Sequence, residues 1–175
     1  LQNNCIVSKG EMIATIKIIP FSIMVKSIKT IEKINFKKSL YVQTYKEKKC
    51  ALLLTHFNKE NIKLNDISHK RIKERLVPLN CSIEIIETCE HNSDEITKNI
   101  KKFEKKDIDL ILILGSSAIV DIKDKIPEAI INSGGKIIRF GMPVDPGNLL
   151  LLGEIRNTPV VGLPGCARSP TLNGF

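Results

Sequence analysis

The stretch Asp109-Leu110-Ile111-Leu112-Ile113-Leu114-Gly115-Ser116-Ser117-Ala118-Ile119-Val120-Asp121 decides the fold that this sequence predicts. Its first half is a short, unbroken apolar run, which is typical of a strand covered on both faces of a parallel sheet. Its second half changes at once to small residues, which let a backbone approach a ligand closely. A buried strand that runs into such a loop indicates the ligand-binding edge of an α/β sheet.

The same pattern of a strand followed by a small-residue loop occurs twice more in the last third of the chain. The strand expected over 136–140 leads to Met142-Pro143-Val144-Asp145-Pro146-Gly147-Asn148. The strand expected over 159–163 leads to Gly162-Leu163-Pro164-Gly165-Cys166-Ala167-Arg168-Ser169-Pro170, which is expected to open a terminal helix. Because the carboxyl ends of parallel strands meet at one edge of a sheet, we expect the three loops to converge on an anion-binding crevice.

Strands and helices alternate upstream of these loops and between them. Apolar runs and helical periodicity predict the order strand 50–54, helix 66–77, strand 81–86, helix 94–103, strand 108–114 and helix 125–132. Asp66 is the expected N-cap of the first helix, and Asn92 or Ser93 that of the second. This order with short links predicts an α/β fold with a mostly parallel sheet between helices.

The N-terminal part of the chain has a different character. We expect residues 49–175 to form the α/β domain and residues 1–48 to form a linker segment that belongs partly to a missing upstream domain. Within the linker, a strand is expected over 10–21 and an amphipathic helix over 23–34. The chain starts at Leu1 rather than at a methionine and ends in mid-pattern, so we expect a C-terminally truncated fragment of a longer protein.

Composition narrows the class of protein. The chain can bury one core with its 42% hydrophobic residues, and it has neither an apolar run of membrane-spanning length nor a signal peptide, so we expect a cytoplasmic protein. Its five cysteines form no CxxC pair, which argues against a zinc site or a disulfide framework. The formal charge of +8 fits either an anionic partner or compositional drift toward Lys and Ile, and 5% aromatic residues leave few stacking platforms for nucleic acid.

The first and last loops carry groups that can bind an anion and a metal. The amides and hydroxyls of Ser116 and Ser117 can hold phosphate, and Asp121 and Asp124 can bind Mg²⁺ or orient a nucleophile. Alternatively, either aspartate only caps the next helix. Arg168 can add a bidentate contact to an anion at a helix start, or the same loop can form a cap without a ligand.

The last loop resembles a known family. Gly162-Leu163-Pro164-Gly165 followed by Ser169 resembles the Gly-Leu-Pro-Gly-Asn-Pro-x-Ser signature of the molybdopterin-binding domain in molybdopterin molybdotransferases, molybdopterin adenylyltransferases and gephyrin. Residues 123–129 are similar to the Arg-Asp-x-Thr-Pro-Glu-Ala of the adenylyltransferases. Ala118-Ile119-Val120-Asp121 and the turn over 141–150 most resemble molybdopterin-binding proteins that precede, or are fused to, a nucleotidyltransferase of cofactor biosynthesis.

The resemblance implies a three-layer α/β/α fold of the molybdopterin-binding type, with molybdopterin lying across the three loops. It places Asp121 and Asp124 where the enzymes keep catalytic and metal-binding acidic residues, for Mg²⁺ and for adenylyl transfer from ATP or molybdate transfer. It also implies self-association as a homo-oligomer and a nucleotidyltransferase domain as a partner. The residues expected to contact the pterin and its phosphate are Gly115, Ser116, Ser117, Ala118, Pro146, Gly147, Asn148, Pro164, Gly165, Cys166, Arg168 and Ser169.

The sequence also departs from the family pattern. Ser116-Ser117 stands in place of a double glycine, and Cys166-Ala167 replaces Asn-Pro. The acid that the molybdotransferases carry after their first strand has no match in Thr55-His56-Phe57-Asn58. The resemblance leads us to expect a molybdotransferase- or adenylyltransferase-like enzyme, whereas these departures favour a first alternative, a non-catalytic module that binds or presents molybdopterin. A second alternative is a competence-damage-type nucleotide pyrophosphatase of the same fold.

Overall fold

The computed structural model describes residues 5–15, 17, 19–34, 41–57 and 62–175. The chain divides into two compact units, Leu1–Gln43 and Thr44–Phe175. No helix among the described residues is long and apolar enough to cross a membrane.

The first unit contains one of its two predicted elements among the described residues. Helix α1 spans Val25–Glu32, inside the predicted range, and none of its residues is buried. The strand predicted over 10–21 is wrong for the described residues of that stretch, since none of them lies in a strand, while Ile16 and Ile18 fall outside the described residues. A strand needs a neighbour to pair its N–H and C=O groups, and the described part of this unit contains no other strand.

A six-stranded sheet forms the centre of the second unit, in the order β2-β1-β3-β6-β5-β4. Its strands are β1 (Lys48–His56), β2 (Cys81–Glu90), β3 (Leu110–Leu114), β4 (Lys136–Phe140), β5 (Leu151–Ile155) and β6 (Thr158–Leu163). The first four in spatial order are parallel, and β5 is antiparallel to both of its neighbours. The prediction of a mostly parallel sheet is confirmed.

Strand β5, which the sequence prediction missed, sets the direction of β4. Because β5 is antiparallel to both neighbours, β4 runs in the same direction as β6. Leu151 of β5 pairs with Phe140 on one side and with Gly162 on the other, and Gly162 pairs with Ile113 of β3. The loops that follow β3, β4 and β6 therefore leave the sheet at one edge, as predicted.

Helices cover both faces of the sheet. Helix α2 (Ile62–Leu76) buries Ile72 and Leu76 in a core with Leu112 and Leu163. Helices α3 (Ser93–Phe103) and α4 (Lys125–Asn132) contribute to a second core, which the intervening residues of β1 and β3 also fill. Alternate strand residues thus divide between two cores, and the three-layer α/β fold is confirmed.

The observed helix ends agree with some of the capping signals in the sequence and disagree with others. Asn92 caps α3, because its side chain accepts from the amide of Glu95 at 2.8 Å. Helix α2 begins at Ile62, so Asp66 lies inside it and the predicted N-cap is wrong. The expected terminal helix is one 3₁₀ turn, Gly165–Arg168, because Ser169 precedes a proline and is extended.

Candidate functional site

The loop after β3 and the loop after β6 meet through Arg168. Its Nη2 donates to the carbonyl oxygen of Gly115 at 2.7 Å, just beyond the paired strand ends Leu114 and Leu163. Arg168 is half-buried, and this desolvation lowers the pKa of its guanidinium. None of the carboxylates in the described part of the chain pairs with it. The site therefore contains a partly desolvated positive charge.

The two serines of the first loop are held by residues at the ends of β1 and β2. Ser116 donates its amide to Thr55 Oγ1 at 2.9 Å and its hydroxyl to the Thr55 carbonyl at 2.7 Å. Thr55 Oγ1 also lies 2.7 Å from His91 Nδ1, and His91 Nε2 lies 3.1 Å from Ser117 Oγ. These bonds connect both serines to Thr55 and His91.

His91 is a site residue that the sequence prediction missed. Burial lowers the pKa of its imidazole, while the nearby charges of Asp124 and Lys125 act in opposite directions on that pKa. The ring also contacts the edge of Phe57, with ring centroids 5.0 Å apart. The predicted end of β2 at Ile86 hid this residue, because the strand continues to Glu90 and brings His91 to the loop edge.

Two backbone amides of the first loop are free to bind a ligand. The N–H groups of Ser117 and Ala118, which are exposed residues, have no acceptor among the described residues. The backbone turns tightly here, since a Cβ on Gly115 would lie 2.7 Å from the Ser117 carbonyl oxygen and 3.3 Å from His91 Cε1. Successive free amides in a tight turn form an anion-binding concavity.

Asp121 and Asp124 bind amides of their own loop. Asp124 Oδ2 accepts from the amides of Val120 at 2.7 Å and Asp121 at 3.1 Å, and Asp121 Oδ1 accepts from the amide of Lys123 at 2.7 Å. The other oxygen of each carboxylate has no partner in the parts of the chain that the structure describes. Within those parts, no group of three or more His, Cys, Asp or Glu residues is arranged to hold a metal ion.

The loop after β4 contacts the end of the chain. The Asp145–Pro146 peptide is cis, and Gly147 is buried with φ +121°. The amide of Gly174 donates to the Pro146 carbonyl at 2.8 Å, and a Cβ on Gly147 would lie 2.5 Å from the same nitrogen. One face of Pro146-Gly147 is thus covered by the segment Thr171–Phe175, called the tail below, whereas Asn148 is exposed.

The tail also binds the loop after β6. Asn173 donates to the Cys166 carbonyl at 2.9 Å. Arg75 of α2, which the sequence reading did not single out, donates to the carbonyls of Ser169 at 2.9 Å, Thr171 at 3.0 Å and Phe175 at 2.6 Å. Arg75 therefore fixes the tail and the last loop to α2. Arg75 lies in the last turn of α2, where basic residues are common, so it carries no sequence signal for such a role.

The predicted binding residues thus fall into two groups. Residues 115–118 and Arg168 come together directly through the bond between Arg168 and Gly115. Pro146 and Gly147 connect to Cys166 only through the tail, and no hydrogen bond among the described residues joins them to the first loop. Pro164 is buried, Gly165 is exposed and Cys166 is half-buried. Asn58 is the last residue of the stretch after the first strand that lacks the acidic residue of the molybdotransferases, and it lies outside the described residues.

Comparison with solved structures identifies proteins of the same fold. The chain is similar to the molybdopterin biosynthesis enzyme MoaB from Thermus thermophilus, with a TM-score of 0.53 and 20% identity over 67% of this chain and 81% of that one. It is also similar to the protein CinA from Thermoplasma acidophilum, with a TM-score of 0.52 and 13% identity over 70% of this chain and 90% of that one.

A longer protein is matched over a smaller part of its length. The chain spans 30% of the molybdopterin biosynthesis protein MoeA from Pyrococcus horikoshii, with 19% identity and a TM-score of 0.49. No protein-family model and no curated protein matches the chain. At these identities the likeness concerns the fold, and the fold is the α/β architecture of MoaB and CinA.

Proposed function

We propose that this chain is a molybdopterin-binding domain of molybdenum cofactor biosynthesis, and that the pterin phosphate binds where the loops after β3 and β6 meet. Arg168 is the observation that carries the proposal. Its half-buried guanidinium is bonded to the Gly115 carbonyl and is paired with none of the described carboxylates. A charge withdrawn from water needs a partner, and a bound anion supplies one.

The first loop supplies the neutral donors for the same anion. The amides of Ser117 and Ala118 have no acceptor among the described residues, and both residues are exposed. Charge-assisted hydrogen bonds from amides and a guanidinium are the usual means of binding phosphate. The combination favours a phosphorylated ligand over a neutral one.

The pterin part of the proposal rests on the sequence motifs together with the fold. Gly162-Leu163-Pro164-Gly165 and Ser169 match the family signature, and they lie at the loop edge of a sheet whose fold is shared with MoaB. The three strand-end loops emerge at that edge, where α/β sheets bind ligands. A phosphorylated pterin is thus the ligand class that the motifs and the donors support together.

We propose further that Asp121 and Asp124 hold Mg²⁺ in a transferase reaction. Each has one carboxylate oxygen without a partner among the described residues, and Mg²⁺ binds through one or two carboxylates together with phosphate oxygens of a substrate. When bound, Mg²⁺ neutralises charge on those phosphate oxygens. The residues of the chain bind the pterin phosphate and orient it for adenylyl transfer from ATP or for molybdate transfer.

A non-catalytic molybdopterin-binding module is the second candidate function. One observation favours it: both aspartates already accept amides of their own loop, and no third metal-ligating side chain joins them in the described parts of the chain. Binding without turnover of ATP or molybdate would support this candidate. Hydrolysis of nucleotide diphosphates would instead support the pyrophosphatase alternative.

The binding proposal is tested by titrating the full chain with molybdopterin in a calorimeter. We expect Arg168→Ala to weaken binding by roughly tenfold or more, as the loss of a charge-assisted hydrogen bond implies. Arg71→Gln is the matched control, because Arg71 pairs with Glu74 on the surface of α2. Absence of wild-type binding at ligand concentrations on the order of tens of micromolar would overturn the proposal.

A further inference from the structure

A series of hydrogen bonds connects the first loop to the side chains of Thr55 and His91. It runs from the amide of Ser116 to Thr55 Oγ1 at 2.9 Å, on to His91 Nδ1 at 2.7 Å, and from His91 Nε2 to Ser117 Oγ at 3.1 Å. Thr55 is 2% exposed, whereas Ser117 is exposed. These hydrogen bonds therefore connect the buried end of β1 at Thr55 to the exposed hydroxyl of Ser117, which a ligand would meet first.

The donors and acceptors of these side chains favour one arrangement of the protons. Thr55 Oγ1 accepts from the amide of Ser116, and its one hydroxyl proton has a single acceptor among the described residues, His91 Nδ1. In a neutral imidazole, a nitrogen that accepts carries no proton, so the proton of His91 lies on Nε2. Nε2–H then donates to Ser117 Oγ, which leaves the Ser117 hydroxyl proton free to point away from His91.

The surroundings of His91 favour the neutral ring over the protonated one. Burial lowers the pKa of the imidazole, and the charge of Lys125 lowers that pKa further, whereas Asp124 raises it. Phe57 packs against the ring, so the ring orientation is constrained on that side as well. A neutral ring carries one N–H, and the hydroxyl proton of Thr55 on the Nδ1 side assigns that N–H to Nε2, facing Ser117.

We propose that His91 is a positioning residue, which holds the Ser117 hydroxyl as a hydrogen-bond donor toward a bound phosphate. The ligand part of this inference rests on the proposed function; the proton arrangement does not. A serine hydroxyl can donate or accept, and an anion needs donors only. By donating to Ser117 Oγ, His91 removes the orientation in which Ser117 would donate inward. The same loop then presents the hydroxyl of Ser117 together with its amide to one anion.

Two variants separate this role from a purely structural one. In His91→Gln the amide nitrogen reaches about as far as Nε2 and can still donate to Ser117, whereas the shorter Asn side chain can replace only Nδ1. We expect His91→Gln to bind molybdopterin within about threefold of wild type and His91→Asn to bind roughly tenfold more weakly. Ser117→Ala should weaken binding as much as His91→Asn, and adding His91→Asn to Ser117→Ala should cause no further loss.

The ligand-free protein gives an independent measurement. The ¹⁵N chemical shifts of the His91 ring should show a protonated Nε2 and an unprotonated Nδ1, and the opposite tautomer would overturn the inference. Equal binding by wild type and His91→Asn, or additive losses in the double variant, would also overturn it. The titrations are repeated with inorganic phosphate. If phosphate binds and molybdopterin does not, the proposed function is refuted. If neither ligand binds, the role of His91 is refuted as well.

Discussion

Arg168 Nη2 lies 2.7 Å from the carbonyl oxygen of Gly115, and this bond joins the loop after β6 to the loop after β3. The two residues are 53 positions apart in the sequence. Their strands are parallel neighbours whose last paired residues are Leu114 and Leu163, so both loops leave the sheet side by side. The proposed anion site is thus a product of the sheet topology, in which each loop supplies only part of the donor set.

Thr55 should contribute to stability as well as to the site. Thr55→Val keeps the shape of the side chain but leaves the amide of Ser116 and Nδ1 of His91 without their partner. We expect a loss of about 1–3 kcal/mol in the free energy of unfolding, measured by urea denaturation. Thr88→Val is the control, because Thr88 is exposed on β2 and should change stability little. Equal stability of the two variants would contradict the hydrogen-bonded role of Thr55.

The contact between Gly147 and Gly174 should make position 147 intolerant of a side chain. Gly147 has φ +121°, and a Cβ there would lie 2.5 Å from the Gly174 nitrogen. We expect Gly147→Ala to lower the free energy of unfolding by about 1–3 kcal/mol. Gly165→Ala should be tolerated, because no atom lies within 4 Å of its Cβ position. Thermal unfolding of the two variants tests the difference, and similar melting temperatures would refute the close contact.

Much of this fold could be predicted because its signals are local. The apolar run from Leu110 to Leu114 fills both cores of a parallel sheet, and Asn92 caps α3 through its own side chain. Strand β5 was missed although it pairs with β4 and β6, its neighbours in the sequence. Its five residues include Gly153 and the charged Glu154, which weaken the apolar signal of a strand. The position of His91 depends on β2 extending to Glu90, where polar residues alternate with half-buried ones.

The proposed ligand class, by contrast, depends on the motif resemblance, because the single residues specify only a negatively charged ligand. The spacing of Gly162, Gly165, Arg168 and Ser169 predicts an anion-binding site but does not specify the ligand. Its geometry, a half-buried Arg168 beside free amides, became visible only in the folded chain. The side-chain contacts of Arg75 with three carbonyls of the last loop and the tail have no sequence signal, because they depend on how α2 packs against that segment.

Protonation of His91 should make the protein less stable in mild acid. Burial lowers the pKa of His91 below its ordinary value of 6.5 in the folded state, so the unfolded chain binds the proton more readily. The contribution of His91 to stability is present above pH 6.5 and is lost as the pH falls from 6.5 toward the folded pKa. Urea denaturation across this range should show a steeper loss for wild type than for His91→Gln, and parallel curves would contradict the prediction.

The cysteines should differ strongly in reactivity. Burial raises the pKa of the Cys50 and Cys89 thiols to about 12, so almost no thiolate forms near neutral pH. Cys5 is exposed and should react first with a thiol reagent. Mass spectrometry after brief labelling should find Cys50 and Cys89 unmodified in the folded protein and modified in urea. Early modification of Cys50 would show that its core opens more often than the packing implies.

Asp124 offers the sharpest separation of catalysis from binding. Asp124→Asn can still accept the amides of Val120 and Asp121 through its side-chain oxygen, so the loop should keep its shape while losing a negative charge. If Asp124 holds Mg²⁺, the variant should bind molybdopterin about as well as wild type but lose Mg²⁺-dependent turnover with ATP or molybdate. Removal of Mg²⁺ with EDTA should reproduce that loss in wild type, and Asp107→Asn, on an exposed side chain paired with Lys49, is the matched control. Undiminished turnover by Asp124→Asn would assign this carboxylate to the loop backbone alone.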